Sequence, residues 1–217
     1  MKVKFFGALI LVASVCVIAA LAGTHTTYAQ EPAAVYVAHL HPLNSKAAGH
    51  ETTGEAQFTI NGDALTISVK ARGLSPGIMH MQHLHGFKDD RFASCATEAA
   101  DVNRDGIVDL AETEPASGTT MVPLSADPVS MNIATDTYPK ASAEGVYSYQ
   151  ETVSLKALEA AFAKSFDGQK LDLGHRVVYI HGVLPNTKLP ASVASLGTVP
   201  AQVTLPIACG EIVQVAP

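Results

Sequence analysis

Short segments in which apolar and polar residues alternate recur along this chain. A period of two places successive side chains on opposite faces of a β-strand, and many of these segments are rich in β-branched residues and end at turn residues. The pattern predicts strands at residues 34–41, 55–60, 64–71, 78–85, 176–181 and 201–208. Asn61-Gly62-Asp63 predicts a tight hairpin turn between the second and third strands, so we expect the early strands to be antiparallel.

One segment has a helical period instead. Leu158 and Phe162 fall on one face of a predicted helix, with Ser154 as its N-cap, and we expect about three turns. Residues 113–145 and 184–200 are rich in turn-forming and small residues and show no period, which predicts two long surface connections. Together, the strands, the helix and the long connections predict an all-β fold, a β-sandwich or flattened barrel with long loops and one short helix.

The first 29 residues have the pattern of a secretory signal. Lys2 and Lys4 precede an apolar run over residues 5–23, and a polar stretch then leads to a cleavage site after Ala29. The run is also long enough to span a bilayer, so an uncleaved N-terminal anchor is the alternative. We expect export to a periplasmic or extracellular location, with residues 30–217 forming a single domain.

The expected mature domain is acidic. Without residues 1–29 it carries 12 Lys and Arg against 20 Asp and Glu, a net charge of −8. That balance disfavours nucleic acid and anionic membranes as partners.

Two cysteines, Cys95 and Cys209, lie in the expected mature domain. An even pair in an exported chain predicts one disulfide. It would close a loop of more than a hundred residues, which in the chain-entropy model stabilises the fold by about 4 to 5 kcal/mol. Two unpaired buried thiols are the alternative.

Residues 101–112 match a twelve-residue calcium loop at every side-chain position. Calcium takes about six to eight oxygen ligands. Gly106 would supply the sharp turn, and Val108 the apolar anchor. A solvated acidic turn is the alternative. The pattern predicts a structural calcium ion bound by Asp101, Asn103, Asp105, the Ile107 carbonyl, Asp109 and Glu112.

Two histidines, His83 and His85, lie two apart on a predicted strand. They would share a face at about 6.5 to 7 Å and could bind one metal ion. A third imidazole from another strand would complete a site that suits copper or zinc, and His181 is the natural candidate. Met81 shares the face of His83 and could add a soft ligand for cuprous copper, or simply pack. Three hydrogen-bonded imidazoles without a metal are the alternative.

The remaining histidines are weaker candidates for metal ligands. His39 and His41 share a strand face, so they could form a second site or a simple exposed pair. His80 would point away from the other histidines of its strand and is expected to be a hydrogen-bonded structural residue. His175 lies about 20 Å along an extended strand from His181, too far to join that site.

The order of these landmarks resembles that of the copper/zinc superoxide dismutases. The resemblance spans roughly residues 73–212 and rests on short motifs, namely Gly73-Leu74-Ser75-Pro76-Gly77, His83-Leu84-His85, Cys95, Val177-Val178-Tyr179-Ile180-His181 and Ala208-Cys209-Gly210. It implies a Greek-key β-sandwich, with a copper ion held by His83, His85 and His181 and a disulfide between Cys95 and Cys209.

The chain also departs from that family. No histidine occurs between Gly86 and Gly174, so the bridging histidine and the zinc-loop histidines of the dismutases have no counterpart. The acidic loop stands where the zinc loop would be. No arginine lies close before Cys209, where the dismutases place one to steer superoxide. The resemblance therefore implies a copper site without zinc, and it favours binding over catalysis.

The N-terminal half has a second resemblance, to the chordin-type (CHRD) domain of many exported bacterial proteins. It rests on His41-Pro42-Leu43, residues 54–60, residues 61–66, Gly73-Leu74 and His83-Leu84-His85-Gly86. Those domains share a β-sandwich with a late His-x-His but carry no established chemistry. The two resemblances agree on fold and differ on activity.

Three functions are compatible with these features. We expect an exported metal-binding protein that holds one copper and one calcium. The alternatives are a copper-only superoxide dismutase acting on superoxide, and a calcium-stabilised CHRD-type structural or adhesive module without catalysis. The sequence has no Gly-x-Ser-x-Gly elbow, His-Glu-x-x-His motif or phosphate loop, which disfavours other enzyme classes.

Overall fold

The computed structural model describes residues 1–2 and 34–216. The chain divides into two compact units, Met1–Gln30 and Glu31–Pro217, and every element below belongs to the second. The predicted signal segment, its cleavage site and the alternative anchor lie outside the described residues, apart from residues 1–2. Within the described part, no helix is long and apolar enough to cross a membrane.

The described part of the chain is built on one curled antiparallel sheet. The strands are β1 (Ala34–Pro42), β2 (Thr53–Asn61), β3 (Ala64–Arg72), β4 (Gln82–Gly86), β5 (Thr119–Pro123), β6 (Val146–Ser154), β7 (Val177–His181), β8 (Pro206–Glu211) and β9 (Val213–Ala216). Across the sheet they lie in the order β5-β4-β7-β8-β1-β2-β3-β6, and β9 pairs with β1. The all-β class is therefore confirmed.

The helices are short, and one of them is the predicted helix. In α3 (Leu155–Ser165), the Ser154 side chain accepts a hydrogen bond from the Ala157 amide, and Leu158 and Phe162 are buried, as the sequence indicated. The other helices are α1 (Ser45–Ala48), α2 (Leu110–Ser117) and α4 (Ala201–Thr204), and 3₁₀ turns occur at Glu98–Ala100, Pro128–Ser130 and Leu173–His175.

The sequence missed three strands, β5, β6 and β9, and misplaced the starts of β4 and β8. β5 lies inside the predicted connection 113–145, and β6 begins directly after it. The predicted strand 201–208 is wrong in its first half, because amides of α4 bond back to the carbonyls of Pro200 and Ala201 rather than across a sheet. The strand predicted from residue 78 begins at Gln82. The hairpin turn between β2 and β3 is confirmed.

The two faces of the β4–β7 pair carry different chemistry. Leu84, Val178 and Ile180 point into the main hydrophobic core. The alternate side chains of these two strands point to the opposite face of the sheet. There Val177 and Tyr179 belong to a smaller buried cluster with Leu43, Ala96, Val108 and Cys209. This second face is the one that carries the histidines.

The predicted disulfide is present. Cys95 and Cys209 are bonded, with their Cα atoms 5.7 Å apart and a sequence separation of 114. The Cys95 amide also donates to a carboxylate oxygen of Glu211 at 3.2 Å. The bond therefore attaches the loop before α2 to β8.

Candidate metal centre

Three histidines from two neighbouring strands meet on one face of the sheet. β4 and β7 pair antiparallel, with His83 opposite Tyr179 and His85 opposite Val177. His83 and His85 share a face because they lie two apart, and His181 at the end of β7 lies on that face too. One ring nitrogen from each histidine lies within 4.8 Å of the others. The structure therefore brings together the three residues that the sequence singled out.

The three rings are almost completely removed from solvent. Their exposed fractions are 3% for His83, 1% for His85 and 2% for His181. The ring centroids are 5.3 Å apart for His83 and His181, 5.6 Å for His85 and His181, and 6.1 Å for His83 and His85. Metal–nitrogen bonds are about 2 Å long, so one ion could contact all three rings after small side-chain adjustments.

A hydrogen-bond chain fixes which nitrogen of His83 is free. Its Nε2 lies 2.7 Å from the Tyr138 hydroxyl, and that hydroxyl donates its only proton to the Ile133 carbonyl at 3.0 Å. The hydroxyl must therefore accept from His83 Nε2–H. In the neutral ring this leaves the lone pair on Nδ1, and His83 Nδ1 has no hydrogen-bond partner.

His181 is fixed in the opposite tautomer. Its Nδ1–H donates to the Thr204 carbonyl at 2.8 Å, because a carbonyl oxygen can only accept. The lone pair then sits on Nε2, which has no partner. His85 Nε2 lies 3.2 Å from the Thr120 hydroxyl, and His85 Nδ1 has no partner. Each ring thus has one nitrogen in a hydrogen bond and one buried nitrogen left over.

All three rings are held in the neutral form. Burial lowers the pKa of His83 well below its usual range, and charge on His181 or His85 would lower it further. Burial lowers the pKa of His85 well below its usual range, and charge on His181 would lower it further, while the nearby Gly118 backbone opposes the shift. Burial lowers the pKa of His181 to about 4, although the Thr204 carbonyl opposes that shift. At neutral pH each ring therefore offers a lone pair to a metal.

The surroundings of the trio are mostly apolar. His83 and His181 line a cavity of about 10 Å³, and His85 lines a larger one of about 400 Å³. Three apolar side chains line both cavities, namely Leu110, Ile133 and Leu196. The small cavity has room for about one water-sized group beside the rings.

His80, which the sequence predicted to be structural, lies next to this centre. It is fully buried, with Nδ1 3.0 Å from the His181 carbonyl and Nε2 3.0 Å from the Ser75 carbonyl. Burial lowers the pKa of His80, and these two backbone contacts oppose the shift. Its role as a hydrogen-bonded structural residue is confirmed. It also supports the backbone at His181.

The predicted calcium loop has a turn held by its own side chains. The Asp105 amide donates to Asp101 and Asn103, and the Gly106 amide donates to Asp101 at 2.8 Å. Gly106 has a φ of 86°, a backbone conformation that favours glycine. Ile107 is buried, while Asn103 is exposed.

The C-terminal half of that loop starts α2. The Asp109 side chain accepts from the Glu112 amide, and the Glu112 carboxylate accepts from the Asp109 amide, which forms a capping box. Glu112 also accepts from the Val102 amide at 3.0 Å. Among the described residues, the acids of this loop do not form a converging group like that of the histidines. Calcium binding here stays a prediction.

Three residues, Asn44, Ser192 and Ala194, tie the predicted calcium loop to distant segments. The Asn44 amide side chain donates to the Val108 carbonyl and accepts from the Val108 amide, both at 2.8 Å. The Ser192 hydroxyl donates to Asp105, and the Ala194 amide donates to Asp109 at 2.6 Å. Asp109 therefore holds both α2 and the 192–196 segment, which supply Leu110 and Leu196 to the cavities at the histidines.

A second group of possible ligands, which the sequence did not suggest, comprises Asp90, Asp172 and His175. Arg176 donates to the Asp90 carboxylate at 2.8 Å, and His175 Nδ1–H donates to the Asp90 carbonyl at 2.8 Å. A guanidinium on the carboxylate opposes a cation there, and the histidine nitrogen that faces the acids carries a proton. We interpret this group as an ion-pair network. His175 is not part of the trio, as predicted.

The other histidine pair does not form a site among the described residues. His39 and His41 are exposed on β1, and His39 lies 3.5 Å from the Glu55 carboxylate. Neither belongs to a converging group.

Sequence reasoning did not identify the residues that orient the imidazoles. Tyr138 lies in a segment without a period, and Thr204 lies where a strand was predicted. Tyr179 packs its ring 4.8 Å from that of His85, which the alternation of β7 could have indicated. The result is a buried group of three histidines that could hold a metal ion. No protein-family model and no curated protein matches this chain.

Proposed function

We propose that this chain is an exported metal-binding protein that holds one copper ion by His83, His85 and His181. The observation that carries the proposal is the set of three buried ring nitrogens without partners, His83 Nδ1, His85 Nδ1 and His181 Nε2. Burying a polar atom without a partner costs about 1 to 3 kcal/mol, so three in one place need a reason. A bound metal ion would satisfy all three.

Copper is the ion that the donor set favours. Neutral imidazoles suit copper and zinc, and copper is the tightest-binding divalent ion of the first transition row. No carboxylate or thiolate takes part in the group of three, so nothing in it favours a hard ion such as calcium or magnesium.

A superoxide-dismutase-like sandwich is the fold that we propose for this site. It is supported by the His-x-His pair on β4, the third histidine on the adjacent β7, and the disulfide from the following loop to β8. The CHRD-type resemblance is compatible with the same arrangement. Export is supported by the disulfide, because such bonds persist in oxidising compartments.

We also propose that residues 101–112 bind one structural calcium ion in an EF-hand-like loop. Support comes from the left-handed Gly106 and from a helix that begins at the tenth loop residue, Leu110. Calcium at a hundred times its dissociation constant would stabilise the fold by about 2.7 kcal/mol. A melting curve that does not change between calcium and EDTA would reject this ion and leave the copper site untouched.

Copper titration of the purified mature protein tests the central proposal. We expect one copper per chain in either oxidation state, with nitrogen ligands in its X-ray absorption spectrum, and loss of that copper in His83→Ala. The matched control is His39→Ala, which removes an exposed histidine outside the trio. A His83→Ala protein that binds copper like the wild type would overturn the proposal.

A copper-only superoxide dismutase is the second candidate, and one observation favours it. His85 lines a cavity of about 400 Å³, large enough to admit a small anion. The chain lacks a bridging histidine and an arginine close before Cys209, so any rate should fall below the diffusional ceiling of about 10⁸ to 10⁹ M⁻¹s⁻¹. If the copper-loaded protein dismutates superoxide no faster than free copper does, this second candidate function is rejected.

A further inference from the structure

One sulfur atom belongs to the surroundings of the three imidazoles. The register of β4 and β7 pairs Gln82 with Ile180, which places Met81 opposite His181. The His181 amide donates to the Met81 carbonyl at 2.8 Å, as expected for such neighbours. Cross-strand neighbours on one face have Cβ atoms about 4.5 to 5.5 Å apart. Met81 also lies two residues before His83 and thus shares its face.

The Met81 side chain points into the site rather than away from it. It lines the same cavity of about 10 Å³ as His83 and His181. The residue is 8% exposed. A thioether is a weak hydrogen-bond acceptor and a good ligand for soft metal ions. Two imidazoles and one thioether therefore line one small space, and a ring nitrogen of His85 lies within 4.8 Å of those of His83 and His181.

The charge lining the small cavity favours a monovalent ion, because Glu114 lines only the larger cavity at His85. The cavity of His83 and His181 is lined only by neutral groups, including Leu110, Thr120 and Leu196. The cost of burying an ion grows with the square of its charge, and no carboxylate in this cavity offsets it. A single positive charge is therefore easier to hold here than a double one.

We propose that Met81 is a fourth ligand of this site, and that the site selects Cu(I) over Cu(II) and zinc. The inference rests on the proposed copper function and specifies the oxidation state that the site holds. Soft thioether ligands select Cu(I), whereas imidazoles alone also suit Cu(II) and zinc. The protein would then hold or transfer reduced copper, since its ligands disfavour the oxidised state.

Met81→Leu tests the sulfur with little change in volume. Such a swap costs less than about 1.5 kcal/mol, so the variant should fold. The control is Met121→Leu, which alters a buried methionine of the main core on β5. We expect Met81→Leu to weaken Cu(I) binding by about tenfold or more, measured anaerobically against a chromogenic Cu(I) chelator. Binding of Cu(II) and zinc should change much less, and Met121→Leu should behave as the wild type.

X-ray absorption of the wild-type protein loaded with Cu(I) gives a second readout that needs no variant. We expect a copper–sulfur shell beside the nitrogen shell, and its loss in Met81→Leu. A wild type that binds no copper in either oxidation state would reject the proposed function itself. A wild type that binds copper through nitrogen alone, with Met81→Leu retaining full Cu(I) affinity, would reject only the role of Met81.

Discussion

Individual hydrogen bonds determine which ring nitrogen of His83 and of His181 carries the proton. Tyr138 can accept from His83 only because its own proton goes to Ile133. Burial also raises the pKa of Tyr138 far above its usual range, so the hydroxyl stays protonated. The lone pair of His83 is therefore directed away from Tyr138 before any metal arrives.

Tyr138→Phe should weaken copper binding without abolishing it. The variant leaves His83 Nε2 without a partner and frees the ring to change tautomer or rotate. Loss of such an outer-shell contact lowers metal affinity by about 10- to 100-fold. Competition with a copper chelator measures the change.

The control for this prediction is Tyr149→Phe. Tyr149 is also buried, and its hydroxyl donates to the Ser125 carbonyl at 2.8 Å. Tyr149→Phe should lose about 1 kcal/mol of stability for its one hydrogen bond, and Tyr138→Phe about 2 kcal/mol for its two. Only Tyr138→Phe should also lose copper affinity. Equal copper affinities in the two variants would show that Tyr138 does not position His83.

At the scale of elements, the pairing of β4 with β7 assembles the trio, while α2 and the 192–196 segment cover it. A shift of the β4–β7 register by one residue would turn His181 to the main core. The covering elements are held together at Asp109, which is 3% exposed. Its two carboxylate oxygens accept from the Glu112 and Ala194 amides.

Asp109→Ala should loosen both covering elements at once. In EDTA, which removes any calcium, the variant loses the N-cap of α2 and the contact with Ala194. We therefore expect the free energy of unfolding to fall by about 1 to 2 kcal/mol. Copper should also pass faster from the protein to a chelator, because Leu110 and Leu196 are no longer held over the site. Denaturant melts and stopped-flow transfer measure the two effects.

Asp127→Ala provides the comparison for Asp109→Ala. Asp127 caps the 3₁₀ turn at Pro128–Ser130 by accepting from the Ser130 amide, and it is exposed. Its loss should destabilise the fold less and leave the copper transfer rate unchanged. If Asp109→Ala transfers copper at the wild-type rate, the segment that it holds does not control access to the site.

The same elements show why part of the site was predictable. The period of two in β4 fixes that His83 and His85 share a face, and β7 ends in His181 by the same local pattern. Their meeting needs only that the two strands be neighbours. β6 was missed because Tyr147 and Tyr149 are its buried side chains among mainly polar neighbours, so its apolar signal is weak.

The contacts that irregular segments make with the histidines could not be predicted from a periodic sequence pattern. Tyr138 reaches His83 across 55 residues from a segment without a period. The Thr204 carbonyl faces His181 because residues 201–204 turn into a short helix. Such contacts follow from the packing of loops on a finished sheet, so a local pattern does not encode them.

Across the molecule, one face of the sheet packs into the main core and the other carries the candidate metal site. One face of β4 and β7 contributes to the main hydrophobic core, including Leu84 and Val178. The other carries the histidines and the small cluster that includes Cys209. The disulfide holds the loop over that second face. The polar atoms of the trio are therefore buried under loops without interrupting the main core.

Burying neutral histidines makes the metal-free fold sensitive to acid. The pKa values of His83, His85 and His181 lie below the value of about 6.5 expected for an unfolded chain. Between about pH 6.5 and 4 the unfolded chain therefore binds more protons than the folded one. Stability is full above this window and falls with pH inside it, by on the order of 1 kcal/mol per pH unit for each such histidine.

Chemical denaturation of the metal-free protein at pH 7, 6 and 5 measures this slope. His181→Gln should reduce it, because an amide does not titrate, whereas His39→Ala removes an exposed histidine and should leave it unchanged. Because a metal ion binds only neutral rings, copper bound as proposed should raise stability most within the same window. Equal stabilities of the metal-free wild type at pH 7 and pH 5 would contradict the buried neutral trio.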